Sequence, residues 1–272
     1  MKGVILAGGL GTRMGIVSRS VNKHMCLVYK YPMILYAVAD MTKCDIEDVL
    51  IVTSERTAGQ MILLMGNGED FNVNITYKYQ REPLGIANAL LLAKDYSGGA
   101  PILVTLADNF CDPPPTDIVS TWDRTGAKII INPVPNPEEF GVVATDVIYK
   151  VLEDGRVAWG APNSIQSYTS PSIDEFIDEH PINRIIEKPN TYYGNLMIAG
   201  IYMYDSDVFD IIEGLTPSPR GEYEITDVNA KYLEMGALQY GIYNGMWIDC
   251  GNPDKLLDAS IYARDHRAEP FT

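Results

Sequence analysis

The segment that decides the fold lies at the start of the chain, Leu6-Ala7-Gly8-Gly9-Leu10-Gly11-Thr12-Arg13, and it continues the apolar run that begins at Val4. A short apolar run predicts a buried strand, and three glycines in the next four residues predict a tight loop. Such a loop can point successive backbone N–H groups at phosphate oxygens, although a plain turn has the same composition. The spacing matches neither G-x-x-x-x-G-K-[ST] nor G-x-G-x-x-G, so two common phosphate-binding loops are excluded.

Short apolar runs alternate with helix-like segments through the first half of the chain. The predicted strands are residues 4–6, 49–53, 75–79 and 102–106, and the predicted helices are residues 33–41, 58–65 and 86–94. This alternation is typical of a Rossmann-like, doubly wound α/β fold with a mostly parallel (mixed) sheet and helices on both faces.

The second half of the chain is richer in predicted strands, which should form a smaller β-rich part. We predict strands at residues 127–132, 141–143, 147–152 and 200–204, with a hairpin turn at 153–156. Helices are expected at 117–124, at 206–213 with Ser206 as its cap, at 226–235 and at 254–266. The polar stretch 162–179 is interpreted as an inserted loop or lid.

The composition excludes several classes of protein. A formal charge of −15 argues against a nucleic-acid partner, which requires clustered Lys and Arg. Four widely spaced cysteines and three histidines form no zinc-ribbon, disulfide or catalytic-triad pattern, so reduced thiols and exposed or structural histidines are expected. No signal peptide or membrane span is apparent, and we therefore expect a cytoplasmic protein without a membrane partner.

Several separate motifs resemble those of the sugar nucleotidylyltransferases, and they follow that family's order along nearly the whole chain. Residues 6–13 resemble the signature L-A-G-G-x-G-T-R, and residues 22–34 resemble the segment K-x-x-x-P-x-x-x-x-P-M-I. The overlap with glucose-1-phosphate thymidylyltransferases is the most extensive. Further matches are Gln80 with Pro83-Leu84-Gly85-Ile86-Ala87, Asp108-Asn109, Phe140-Gly141-Val142-Val143, Glu187-Lys188-Pro189, Ala199-Gly200-Ile201-Tyr202, the segment 220–227 and Trp247-Ile248-Asp249-Cys250-Gly251.

The resemblance implies an enzyme that transfers a nucleotidyl group from dTTP or UTP to a sugar 1-phosphate, with glucose 1-phosphate as the default sugar and pyrophosphate as the second product. It implies one nucleotidyltransferase domain over residues 1–272, with a nucleotide-binding part at 1–125, a sugar-binding part at 126–250 and a C-terminal helix at 251–272. Mg²⁺ is the implied cofactor, and a homo-oligomer is the implied assembly. The alternative is a non-catalytic sugar-nucleotide-binding or regulatory homologue.

The resemblance also assigns roles to individual residues. The implied catalytic residues are Arg13 and Lys23, and the implied metal ligands are Asp108 and Asp249. The implied nucleotide-binding residues are Leu6, Ala7, Gly8, Gly9, Gly11, Thr12, Gln80, Pro83 and Gly85. The implied sugar phosphate-binding residues are Asn109, Gly141, Glu187, Lys188 and Tyr202.

The chemistry of the residues agrees with these roles without requiring them. Asp108 follows a predicted strand at the edge where open α/β sheets bind ligands, and carboxylates suit Mg²⁺, but an aspartate there can also cap a turn. The amide of Gln80 can pair with a pyrimidine edge or lie on the surface. Adjacent charges at Glu187 and Lys188 could equally form an exposed ion pair. No chemistry is assigned to the segment 220–227, whose charges can cap a helix.

Three departures from the family pattern stand out. The proline that follows the signature lysine is missing from Lys23-His24-Met25-Cys26-Leu27-Val28, Phe140 replaces a common tyrosine, and the segment 144–183 is longer than expected. A dinucleotide-dependent oxidoreductase is a rival class, but the first loop lacks its glycine spacing.

Overall fold

The computed structural model describes residues 1–9, 11–19, 21–160, 168–266 and 268–271, and at residues 17–19 it describes the backbone alone. Its strands are β1 (Lys2–Ala7), β2 (Leu27–Val28), β3 (Tyr31–Pro32), β4 (Asp48–Ser54), β5 (Asn74–Gln80), β6 (Ile102–Leu106), β7 (Asn109–Asp112), β8 (Ala127–Pro133), β9 (Gly141–Ala144), β10 (Ile148–Val151), β11 (Val157–Gly160), β12 (Tyr168–Ser170), β13 (Arg184–Glu187), β14 (Leu196–Tyr204), β15 (Leu238–Ile242) and β16 (Met246–Asp249).

The helices cover both faces of the main sheet. They are α1 (Met33–Lys43), α2 (Glu55–Met65), α3 (Ile86–Leu91), α4 (Lys94–Ser97), α5 (Thr116–Ser120), α6 (Ile173–Glu179), α7 (Val208–Glu213), α8 (Ile225–Glu234) and α9 (Pro253–His266). Short 3-10 turns carry Thr12–Arg19 and Lys23–Met25 after the glycine loop. No helix in the described part of the chain combines the length and the apolar character that a bilayer crossing requires.

The central sheet combines parallel and antiparallel pairing. Its principal order is β13-β9-β14-β6-β1-β4-β5, with β8 and β15 continuing from the other side of β14. The strands β6, β1, β4 and β5 run parallel, as the alternating pattern predicts, whereas β14 is antiparallel to β6, β8 and β9. The predicted mixed α/β fold is confirmed, and strands from both halves of the chain share one sheet.

Strand β1 is buried on both of its faces because it lies at the centre of this sheet. Val4 and Leu6 pack into one hydrophobic layer, while Ile5 and Ala7 pack into the other. This two-sided burial is the expected property of a central parallel strand covered by helices, and it explains the continuous apolar run at the start of the sequence.

Most predicted elements are present, but three helix predictions need correction. The predicted helix 86–94 is split into α3 and α4, because Leu92 and Ala93 bond to carbonyls three residues back. Helix α5 ends at Ser120 rather than at residue 124. Ser206 does not cap α7; the turn before that helix is held by Asp205, whose Oδ1 accepts from the N–H of Asp207.

The interpretation of residues 162–179 as a loop or lid is wrong for its second part. Residues 168–179 form β12 and α6, and Ile173, Phe176 and Ile177 are buried. Ser172 caps α6 by accepting from the N–H of Glu175 at 3.2 Å. Residues 162–167 lie outside the described residues. The predicted hairpin at 153–156 is confirmed, since β10 and β11 pair antiparallel around it.

Candidate active site

The glycine loop leaves the carboxyl end of β1 and packs against two side chains from elsewhere in the chain. A Cβ atom at Gly8 would lie 2.4 Å from Oε1 of Gln80, and one at Gly11, where φ is +63°, would lie 3.3 Å from Lys23. A side chain at either position would therefore have to displace a candidate site residue. The loop is glycine-rich because Gln80 and Lys23 occupy the adjacent space.

Two cation–carboxylate pairs lie next to this loop. The ammonium of Lys23 contacts Oδ2 of Asp108, and Nη2 of Arg13 lies 3.2 Å from Oδ2 of Asp249. Lys23 is nearly enclosed, with 11% of its side chain exposed, whereas 55% of the Arg13 side chain is exposed. The two cations that the sequence singles out thus lie together, one fixed and one accessible.

The electrostatics of the two carboxylates differ. Burial opposes ionisation of Asp108, but Lys23 outweighs this effect and holds the pKa of Asp108 below its usual range. Burial and the negative charge of Asp108 raise the pKa of Asp249, and Arg13 only partly offsets this. Two carboxylates in one enclosed place repel each other, so added positive charge is favoured there.

A short two-stranded ribbon brings these aspartates together from 141 positions apart in the sequence. Strand β16 pairs antiparallel with β7, so that Asp249 lies opposite Asn109, and the N–H of Cys250 donates to the carbonyl of Asp108 at 2.8 Å. Gly251 packs beside them, and a Cβ there would lie 2.4 Å from Nη2 of Arg13, so a side chain at this position would displace the guanidinium. This arrangement could not be read from the spacing of the two residues.

The end of the cleft where the sequence predicts nucleotide binding, here called the base side, is built from Leu6, Gln80, Pro83 and Gly85. Gly85 has φ +103° and ψ 168°, a combination that is essentially restricted to glycine. A Cβ at this position would lie 2.5 Å from the carbonyl oxygen and 2.7 Å from the nitrogen of Tyr223. The absence of a side chain at Gly85 therefore allows the backbone of Tyr223 to pack against residues 83–85, here called the base-side loop.

The end of the cleft where the sequence predicts sugar phosphate binding, here called the sugar side, is centred on Glu187, at the end of β13. Oε2 of Glu187 accepts a hydrogen bond from Oγ1 of Thr226 at 3.2 Å, and its Oε1 accepts from Nη2 of Arg220 at 3.0 Å. Lys188 is half-exposed next to it. Gly141 is needed because a Cβ at this position would lie 2.4 Å from Cγ2 of Thr226. The group that packs closely against Gly141 is therefore the side chain of Thr226.

Strand β14 is bulged where it borders the cleft. Its register with β8 shifts between Ile198 and Tyr202, and Gly200 has φ +66°. The carbonyl of Ala199 accepts from Nδ2 of Asn109 at 2.7 Å and from Nε1 of Trp247 at 3.0 Å. The amide nitrogen of Asn109 thus ties the aspartate-bearing ribbon to the main sheet.

These surfaces enclose one cleft of about 530 Å³, a size suited to a small-molecule substrate. Ala7 is the single predicted site residue that does not line it: its side chain is fully buried on the opposite face of β1 from Leu6. The predicted residues that do line it are Leu6, Gly8, Gly9, Gly11, Thr12, Arg13, Lys23, Gln80, Pro83, Gly85, Asp108, Asn109, Gly141, Glu187, Lys188, Tyr202 and Asp249.

Sequence reasoning missed several residues of the cleft. His24 is buried and lines it, and burial, with Lys23 next to it, lowers the pKa of His24 to about 3, so the imidazole is neutral. The feature of the sequence that points to His24 as a cleft residue is its position directly after Lys23. Lining residues without an assigned role are Ile86, Ala89, Leu106, Glu139, Phe140, Ile198, Gly200, Glu222, Ile225, Thr226 and Trp247, several of which lie inside the quoted motifs.

The carboxylates of Asp108 and Asp249 fit a hard divalent cation. They are oxygen donors, and they repel each other. Mg²⁺ is commonly held by one or two carboxylates together with substrate phosphates, so a two-carboxylate site suits it.

Comparisons with known proteins agree with this fold. The family model of the nucleotidyl transferases matches residues 2–266. The chain is 34% identical to the glucose-1-phosphate thymidylyltransferase of Mycolicibacterium smegmatis over 97% of this chain and 82% of that protein. It is 32% identical to the low-salt glycan biosynthesis nucleotidyltransferase Agl11 of Haloferax volcanii over 96% of this chain and 65% of that protein.

Solved structures extend the comparison to three dimensions. A crystal structure described as a glucose-1-phosphate thymidylyltransferase from Bacillus anthracis, in complex with sucrose, superposes with a TM-score of 0.80 at 36% identity, covering 97% of this chain and 96% of that one. A UDP-glucose pyrophosphorylase complexed with UDP-glucose gives a TM-score of 0.77 at 22% identity, covering 98% and 99%, and this match shows the shared fold.

The mixed α/β sheet, the glycine loop at its first strand and the charged cleft define a nucleotide-handling enzyme class. The chain belongs to the nucleotidyl transferase family, and it is an enzyme of that family.

Proposed function

We propose that the chain transfers a nucleotidyl group from dTTP, or from UTP, to a sugar 1-phosphate, with glucose 1-phosphate as the first candidate. The observation that carries this proposal is the pair of cation–carboxylate contacts, Lys23 with Asp108 and Arg13 with Asp249, at the glycine loop. They lie in the same cleft as Gln80 on one side and Glu187 on the other. The thymidylyltransferase relatives support the choice of base and sugar.

The reaction joins two anions, and this requirement defines the work of the protein. A phosphate oxygen of the sugar 1-phosphate attacks the α-phosphorus, the bond from that phosphorus to the bridging oxygen breaks, and pyrophosphate leaves with the electron pair. The nucleophile is already anionic, so no protein base is needed. Catalysis consists of alignment and of stabilising negative charge.

Arg13 and Lys23 provide the positive charge for this step. Lys23 is enclosed and held by Asp108, so its ammonium stays in place while charge develops. Arg13 is more accessible and can follow the phosphates. Backbone N–H groups of residues 8, 9, 11 and 12 complete the phosphate cradle. Asp108 and Asp249 would hold Mg²⁺, which supplies further charge neutralisation on the phosphates.

The two ends of the cleft orient the substrates. Gln80 would pair with the pyrimidine edge, which thymine and uracil share, so this residue is compatible with both dTTP and UTP. Glu187 would accept hydrogen bonds from sugar hydroxyls, and Lys188 would contact the sugar phosphate. Since strands of both halves of the chain form one sheet, we propose that the whole chain acts as a single nucleotidyltransferase domain.

The test is Mg²⁺-dependent release of pyrophosphate from glucose 1-phosphate and, separately, dTTP, UTP, CTP, ATP or GTP. We expect release with dTTP or UTP, none after chelation of the metal, and a loss of about 10²-fold or more in Asp108→Asn. Asp70→Asn, on an exposed turn, is the matched control and should be fully active.

A wild-type protein that binds dTTP in calorimetry but releases no pyrophosphate with any pair would favour the binding-only homologue. Release that does not depend on Asp108 would refute the assignment of this site.

A further inference from the structure

Residues 218–224, here called the 218–224 segment, connect the two sides of the cleft. The segment turns at Gly221, where φ is +77°, and closes with hydrogen bonds of 2.8 Å from the N–H of Ser218 to the carbonyl of Glu222 and from the N–H of Gly221 to the carbonyl of Ser218. It is therefore a defined turn and not an open connection.

The backbone of this segment is bound to the base side of the cleft. The N–H of Tyr223 donates to the carbonyl of Leu84 at 2.8 Å, and the N–H of Ala87 donates to the carbonyl of Tyr223 at 3.2 Å. Gly85 lies between these two bonds and admits the backbone of Tyr223 because it has no side chain. The position of the 218–224 segment is thus fixed relative to the base-side loop.

The next residue, Glu224, carries a carboxylate with only 8% of its side chain exposed. Both of its oxygens accept from Nη2 of Arg220 at 2.9 Å, and Oε1 also accepts from Oγ of Ser218 at 2.7 Å. A buried carboxylate is retained at a cost unless it is paired, and here its pairing is complete. Glu224 is not among the residues that line the cleft.

The same Nη2 atom of Arg220 links Glu224 to the sugar side, since it also donates to Oε1 of Glu187 at 3.0 Å. Thr226 holds the other oxygen of Glu187. The carboxylate of Glu187 is therefore oriented by two donors, and one of these donors is itself held in place by Glu224.

We propose that Glu224 is a positioning residue: it holds Arg220 in the orientation that fixes Glu187 toward the sugar, while the adjacent Tyr223 backbone sets this assembly at a defined distance from the base side. The inference rests on the proposed function, in which Glu187 binds the sugar 1-phosphate. Losing the charge at Glu224 should release Arg220 and allow the carboxylate of Glu187 to rotate.

The experiment is steady-state kinetics of Glu224→Gln with glucose 1-phosphate and the nucleotide that the wild-type enzyme uses. We expect KM for glucose 1-phosphate to rise about tenfold, the size of one charge-assisted hydrogen bond, and KM for the nucleotide to change less than about twofold. Glu213→Gln on α7, which removes an exposed ion pair with Lys94, is the matched control and should change neither value.

A double-mutant cycle with Glu187→Gln separates positioning from a merely structural role. If Glu224 acts through Glu187, Glu224→Gln has little further effect in the Glu187→Gln background, whereas independent effects multiply. If Glu224→Gln does not fold, Ser218→Ala, which removes one donor to Glu224, should show the same selective rise in KM on a smaller scale.

Equal rises in both KM values, a change confined to thermal stability, or independent effects in the cycle would each overturn the positioning role. A wild-type enzyme without pyrophosphate release would instead overturn the proposed function and this inference with it.

Discussion

Replacing Gly85 by alanine tests whether the base-side loop depends on its contact with Tyr223. The native φ of +103° and ψ of 168° would be retained only with strain of about 1–3 kcal/mol for a residue with a side chain. The new Cβ would also lie 2.5 Å from a backbone oxygen and 2.7 Å from a backbone nitrogen of Tyr223, which cannot move independently of the chain.

The displaced contact includes the two backbone hydrogen bonds that join Leu84 and Ala87 to Tyr223, at 2.8 and 3.2 Å. Each such bond contributes about 0.5–1.5 kcal/mol, so the total loss of unfolding free energy is about 2–6 kcal/mol. In a protein of this size, a loss near the middle of that range lowers Tm by about 8 °C.

The assay is urea and thermal unfolding of Gly85→Ala next to a matched glycine replacement. Gly59 lies within α2, where an added Cβ would meet none of the described atoms within 4 Å, and it should tolerate alanine with a gain of about 0.5–1 kcal/mol. An unfolding free energy of Gly85→Ala within about 0.5 kcal/mol of the wild-type value would refute the reasoning, since the strain term alone exceeds it.

Two further predictions address the charged groups. Lys23→Met removes the enclosed cation beside Asp108 and should lower kcat by about 10²–10³-fold, measured as pyrophosphate release. The control variant Lys30→Met, which removes a surface ion pair with Glu269, should leave kcat unchanged. Equal activity of the two variants would contradict the role of Lys23. Burial raises the pKa of Asp40 from 3.8 to about 7, so between these pH values the native state keeps a proton that the unfolded chain has lost, and stability falls as pH rises. Asp40→Asn should therefore be more stable than wild type at about pH 8 and lose that advantage near pH 3.5. Denaturant unfolding at both pH values is the measurement, and an advantage that is the same at both would contradict the prediction.

The fold could be predicted because local pattern and tertiary environment agree along most of the chain. Strand β1 is a continuous apolar run and is buried on both faces, so the short apolar run predicts it. The helix α6 was missed although Ser172 and Glu175 have the spacing of a capping box, because the polar composition around them outweighed that signal.

The site was predictable as a set of residues and not as a geometry. The motifs named Asp108 and Asp249 but carried no information on their proximity, which depends on the ribbon of β7 and β16. The contact of Arg220 with Glu187 joins residues 33 positions apart and follows from the turn at Gly221. Such contacts arise from chain topology, which a linear pattern does not encode.

The position of Trp247 gives this protein a built-in optical reporter. Of the three tryptophans in the chain, Trp122 is buried beside α5, Trp159 belongs to β11, and Trp247 alone lines the cleft. The indole N–H of Trp247 donates a hydrogen bond to the carbonyl of Ala199, and its ring packs against Phe140. In a protein with Trp122→Phe and Trp159→Phe, fluorescence emission would come from the cleft itself. Substrate arrival and product departure could then be timed without attaching a dye to either molecule.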